Sequence, residues 1–177
     1  REQAGKISRN TNTVEKYNQL RLFIIFSFLI TVFPQMPLAA EILSYKDKSG
    51  HLVKVNVPVK RAVLLTTYEL IPALDIGSQI AATGKWAKKN DLMKVSCGYL
   101  SGLPSVGSGI DINMETMMKI QPDLIVSWTF RQEQVRFMAD KGLTVISIYP
   151  DSLAELRDVI KLHGKLFGKE KRMKYCL

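Results

Sequence analysis

Three large aromatic residues and two cations occupy positions suited to holding an anionic ligand. Tyr68, Trp86 and Trp128 each follow a short apolar run, at residues 62–65, 80–82 and 124–126. Lys85 precedes Trp86, and Arg131 lies three residues beyond Trp128. An aromatic face packs against the organic body of a ligand, and a guanidinium grips anionic oxygens bidentately. Tyr149 ends a further apolar run, at residues 143–148. The competing reading is that aromatics merely cap the edge of a sheet and that Lys85 and Arg131 are surface charges.

The elements that would position these residues alternate between strand and helix. The clearest stretch is residues 107–128, which read as loop, helix, turn and strand. Asn113 suits a helix N-cap, and Glu115 places a negative charge in the first turn. Met114, Met117, Met118 and Ile120 follow at near-helical spacing. Pro122 ends the helix, and Asp123 leads into Leu124, Ile125 and Val126, a run of the kind buried on both faces of a parallel sheet. Earlier, residues 42–45 and 51–57 read as two strands joined by a turn at Lys48, Ser49 and Gly50. Residues 69–76 read as a helix stopped by Gly77. Residues 88–106 read as irregular, with one short helix near residues 91–94. Residues 131–141 read as a helix burying Val135 and Met138. Ser152 caps a long amphipathic helix with apolar positions at Leu153, Leu156, Ile160, Leu162, Leu166 and Phe167. Gly168 interrupts it, and residues 169–177 restart as helix. The alternation implies an α/β fold with a Rossmann-like parallel sheet. Ligands bind past the carboxyl ends of strands in such sheets, which is where the aromatics and cations fall.

Composition excludes several functions. The chain has 177 residues and a formal net charge of +9, of which the first 40 residues carry +3 and the remainder +6. This modest excess suits an anionic ligand or surface. No Lys/Arg-rich run with interleaved aromatics points to nucleic acid. No nucleophile elbow, phosphate loop, dinucleotide fingerprint or placed pair of carboxylates points to an enzyme. Cys97 and Cys176 lie in unrelated contexts, and a disulfide between them stays open. His51, in the hairpin, and His163, in the long helix, read as surface residues rather than metal ligands, and neither a metal site nor a cofactor is expected.

The first 40 residues read as a polar leader and a signal peptide. Lys16 and Arg21 supply positive charge, residues 22–33 form an apolar run short of a membrane span, and Pro34, Pro37, Ala39 and Ala40 precede a cut before Glu41. An uncleaved anchor, making the chain a membrane-tethered interaction module, is the alternative.

The lysine-arginine pair before an apolar strand, followed by Val-Gly-Ser-Gly, then Asn-Met-Glu and Ile-x-Pro-Asp-Leu-Ile-Val, resembles the metal-chelate-binding periplasmic proteins of ABC importers. The resemblance covers about residues 42–167. It implies a two-lobed protein bridged by one helix, with ligand held between the lobes. Residues 41–151 would then be the N-terminal substrate-binding lobe, and residues 152–177 the truncated start of the inter-lobe helix. The second lobe would be absent, making the chain a fragment, a frameshifted product or a truncated one that binds weakly. The resemblance implies capture of a ferric siderophore in the periplasm by a monomer and delivery to an inner-membrane ABC permease. Molybdate-like oxyanions, haem and vitamin B12 are the family's other ligands. It places Trp128 against the ligand and Glu115 at the lobe tip facing the permease. Gly109 stands where vitamin B12 binders carry an aromatic.

Overall fold

The computed structural model describes residues 41–48, 50–108, 111–128 and 130–177. The leader and signal peptide expected at residues 1–40 lie outside the described residues, as does Gly109. Strands β1 (Glu41–Lys46) and β2 (Leu52–Val57) pair antiparallel, with Glu41 opposite Val57 and Lys46 opposite Leu52. Gly50 takes φ +84° at the turn, a conformation that costs glycine nothing. The main sheet has four parallel strands in the order β4 (Ile80–Thr83), β3 (Ala62–Leu64), β5 (Leu124–Trp128), β6 (Val145–Ile148).

Side chains on a strand alternate between faces, and here the alternation divides the core in two. Ala62, Leu64, Leu124, Val126, Ile146 and Ile148 join one apolar cluster. It is completed by helices α1 (Leu70–Leu74) and α6 (Leu153–Leu166) and by Val55 and Val57 of β2. Val63, Ala82, Ile125 and Val145 join the other. That cluster includes Met117 and Ile120 of α4 (Met114–Ile120) and Val135 and Met138 of α5 (Gln132–Asp140). Both faces are covered, so the strands send apolar side chains to both sides, as expected for a doubly wound sheet. Between β4 and α4 run two short helices, α2 (Lys85–Lys89) and α3 (Asp91–Ser96), and a 3-10 turn at Gly98–Gly102. This stretch is more ordered than its polar composition implied.

The lysine-arginine and proline-aspartate motifs meet at the opposite edge. Asp123 Oδ2 accepts from the backbone N–H of Lys60 and of Arg61, at 3.0 and 2.9 Å, and the Arg61 guanidinium donates to Ile120 O at 2.6 Å. One carboxylate thus ties together the entries to β3 and β5.

Several sequence expectations are corrected. Asp75, with φ +55°, closes α1 rather than Gly77. Gly77 instead opens a 3-10 turn under Tyr99, whose hydroxyl lies where a Cβ would stand. In α6, Leu153 and Leu156 are exposed, whereas Val159, Leu162, His163 and Leu166 are buried. The buried stripe follows i, i+3, i+4, i+7 from Val159, and polar contacts anchor the first turn. His163 is therefore a core residue, fully enclosed, and not a surface one. Gly168 breaks the helix at φ +65°, and only α7 (Glu170–Met173) follows. It folds back on α6 at Gly164, which leaves room for the Met173 side chain. Cys97 and Cys176 are both free thiols.

Candidate functional site

All four strands of the main sheet run in parallel, so their carboxyl ends share one edge. At the end of β5, Ser127 is wholly buried and Trp128 half-buried. Trp128 stands opposite Ile148, and Tyr149 follows directly. That register brings three rings together. Trp128 lies 5.6 Å from Phe130 and 6.0 Å from Tyr149 between centroids, and Phe130 meets Tyr149 edge-on at 6.1 Å. Tilted and edge-to-face pairs at these separations are the favoured aromatic geometries. Phe130 is 61% and Tyr149 44% exposed, so the cluster presents ring surface to solvent.

Arg131 leads into α5, and its guanidinium carbon lies 5.7 Å from the Phe130 centroid, within cation–π reach. Its Nε is buried without a hydrogen-bond partner among the described residues, as are the hydroxyls of Ser127 and of Thr83 at the end of β4. Buried polar groups are normally satisfied, so the rim holds unused hydrogen-bonding capacity next to its aromatic surface.

At the end of β4, Gly84 N donates to Leu64 O and Lys85 N to Gly107 O, at 3.1 and 2.6 Å. These bonds turn the chain into α2. Trp86 is half-exposed in its first turn, with the ammonium groups of Lys85 and Lys89 5.6 and 5.8 Å from its ring. At the end of β3, Thr67 takes the left-handed conformation, φ +53°. Tyr68 is half-buried and packs against the first core cluster.

The sequence-derived set therefore divides. Trp128 and Arg131 join one cluster, Lys85 and Trp86 form a second patch, and Tyr68 packs inward. Among the described residues no ring contact links Trp86 or Tyr68 to Trp128. Phe130 was missed, and Tyr149 was noted only as a strand end. The signal for both was their spacing: Phe130 lies two residues past Trp128, and Tyr149 directly follows the residue opposite it. Glu115 is exposed in the first turn of α4, 2.6 Å from Lys119 Nζ, and Asn113 Oδ1 accepts from Thr116 N at 2.9 Å. A separate cavity of about 210 Å³ lies between α2, α3 and the 3-10 turn, lined by Met93, Cys97 and Leu100 among others. Among the described residues, no group of three His, Cys, Asp or Glu could hold a metal ion, and no helix is long and apolar enough to cross a membrane.

The periplasmic binding protein family matches residues 62–176. The iron(3+)-hydroxamate-binding protein YxeB of Bacillus subtilis (strain 168) is 26% identical over 134 residues, covering 76% of this chain and 38% of that protein. FhuD of the same organism, also an iron(3+)-hydroxamate-binding protein, is 25% identical over 127 residues, covering 71% of this chain and 38% of its own length. The chain thus spans well under half the length of these curated relatives. Staphylococcus aureus SirA complexed with staphyloferrin B superposes with a TM-score of 0.58 at 28% identity, over 75% of this chain and 44% of that one. The molybdate-binding MolA of Haemophilus influenzae shares the fold, with a TM-score of 0.68 at 18% identity over 75% and 48% of the two chains. With a match over more than half its length, the chain belongs to the periplasmic binding protein family.

Proposed function

We propose that this chain supplies the N-terminal lobe of the substrate-binding component of an ABC importer. It would capture an iron-siderophore or similar anionic metal chelate in the periplasm and deliver it to the permease. The observation that carries the reading is the solvent-facing cluster of Trp128, Phe130 and Tyr149 with Arg131 beside it, at the carboxyl edge of a parallel sheet. The rings would pack on the organic body of the chelate, and Arg131 would bind its anionic oxygens. Tyr68, Lys85 and Trp86 would extend the same wall along the edge. The chelated iron is cargo, and the chain would act as a monomeric binder with neither a cofactor nor catalysis of its own.

Glu115 would meet basic residues of the permease, since it is exposed at the start of α4 and its loop adjoins α2 through the Lys85–Gly107 bond. Export would depend on the apolar run at residues 22–33, with a cut near Ala40. The intact mass of secreted material tests this, and retention of residues 22–33 would refute it.

Titration with ferric staphyloferrin B, followed by tryptophan fluorescence, tests the wall. In a protein carrying both lobes, Trp128→Ala should weaken binding by about 1–3 kcal/mol if the ring is an anchor. Wild-type affinity in both Trp128→Ala and Arg131→Ala, with the fold intact, would remove the rim as the binding wall.

A further inference from the structure

The turn of the β1–β2 hairpin grips the segment that carries Tyr149 at two points, one on each side of that residue. On one side, the buried carboxylate of Asp47 accepts from Ser147 Oγ through Oδ2 at 2.6 Å, and from the backbone N–H of His51 through Oδ1 at 2.9 Å. The His51 ring lies 3.8 Å from the same carboxylate. On the other side, Lys48 Nζ lies 2.6 Å from both Asp151 Oδ2 and Glu155 Oε2. Glu155 Oε2 also accepts from Asp151 N at 2.7 Å, and Ser152 Oγ accepts from Glu155 N at 3.2 Å. Lys48 donates to both carboxylates, and these hydrogen bonds, to Asp151 first and then to Glu155, hold the lysine above its ordinary pKa. Tyr149 and Pro150 are thus suspended between two fixed points, both supplied by a hairpin that precedes residues 62–176, the family-matched region.

We infer that the hairpin turn is a positioning clasp for Tyr149, so that Asp47 and Lys48 help set the shape and selectivity of the aromatic wall without touching the ligand. The inference rests on the rim reading above. The two attachments differ in kind. The Asp47–Ser147 bond is enclosed, so it fixes the strand end. The Lys48 pairs are partly exposed and contribute little to global stability. Their loss should therefore free the Tyr149 segment locally while leaving the lobe folded, which makes Lys48 the informative site.

The test has two readouts. The first needs no ligand: in a Trp86→Phe background, Trp128 is the sole tryptophan and reports on Tyr149, 6.0 Å away. Lys48→Met should shift its emission and near-ultraviolet dichroism, and Lys48→Arg should restore both. Ser147→Ala should shift them in the same direction, and Ser147→Thr, which keeps the hydroxyl, should not. The second readout is the dissociation constant for ferric staphyloferrin B, which should rise about two- to thirtyfold in Lys48→Met and return in Lys48→Arg, at an unchanged melting temperature. An unaltered Trp128 spectrum in Lys48→Met would overturn the clasp. So would an unaltered affinity, provided Trp128→Ala weakens binding. If Trp128→Ala itself has no effect on affinity, the rim reading falls, and the Trp128 spectrum alone decides whether the hairpin positions Tyr149.

Discussion

The imidazole of His163 and the hydroxyl of Thr67 meet at 3.0 Å, joining α6 to the end of β3. The ring's other nitrogen, Nδ1, lies 2.8 Å from Val159 O, which can only accept. Nδ1 therefore carries the proton, and Nε2 faces the Thr67 hydroxyl, which also donates to Thr66 O at 2.8 Å. Burial pushes the imidazole down to about 4, against a weaker upward pull from the Val159 carbonyl. The folded state resists protonation that the unfolded chain accepts near pH 6.5, so this group's contribution is complete above that pH. It falls as pH drops from 6.5 towards 4. Between pH 7.5 and pH 5 the loss should be about 2 kcal/mol. Denaturant unfolding at the two pH values measures it, and His163→Gln should flatten that part of the profile. An equal slope in both proteins would show that His163 is not its source.

Glu115→Arg separates docking from binding. The side chain is exposed, and among the described residues it pairs with Lys119, one turn on, so stability should fall by about 1 kcal/mol or less. In a protein carrying both lobes, affinity for ferric staphyloferrin B should not change, while transport by a cognate permease should drop. A large loss of affinity would place Glu115 in the ligand site instead.

Phe130 and Tyr149 should act together. Each single alanine variant should weaken chelate binding by less than Trp128→Ala, since the indole is the largest of the three rings in mutual contact. The double variant should depart from additivity by about 0.5 kcal/mol or more, because the rings touch. Strict additivity in a double-mutant cycle would mean the rings bind independently.

Gly107 supports the loop that receives Lys85. It has φ +92°, and a Cβ there would lie 1.9 Å from Asp111 O. Gly107→Ala combines backbone strain with a clash against main chain, so a cost of more than about 2 kcal/mol is expected. Thermal melts check it, and a variant as stable as the wild type would show that the loop relaxes freely.

The parallel sheet was legible because its strands are apolar without alternation, as at Leu124, Ile125 and Val126. The cap at Asn113 and the breaks at Pro122 and Gly168 were legible from residue type alone. The buried face of α6 was not. Leu153 and Leu156 look like core residues, yet that turn is held by Ser152, Glu155 and Lys48, and Lys48 lies far away in sequence. His163 was misread for a related reason: Val159, one turn back, meets one ring nitrogen, but the other meets Thr67, far away in sequence. At the candidate site, Trp128 and Arg131 were found because they follow a recognisable strand. The full aromatic cluster required the pairing of Trp128 with Ile148, which no local pattern specifies.

The order of strands in the sheet also governs how the fold must assemble. β3 has three residues and lies between β4 and β5, with Ala62 opposite Leu124. β5 cannot dock until the long intervening chain has closed on itself, and that closure is paid for in entropy before any pairing is gained. Refolding should therefore be slower than for a helical bundle of the same size. Until β5 arrives, Ala62, Val63 and Leu64 present an open apolar edge to other chains, the kind that seeds aggregation. Misfolding during synthesis should therefore start at the strand that ends up most enclosed.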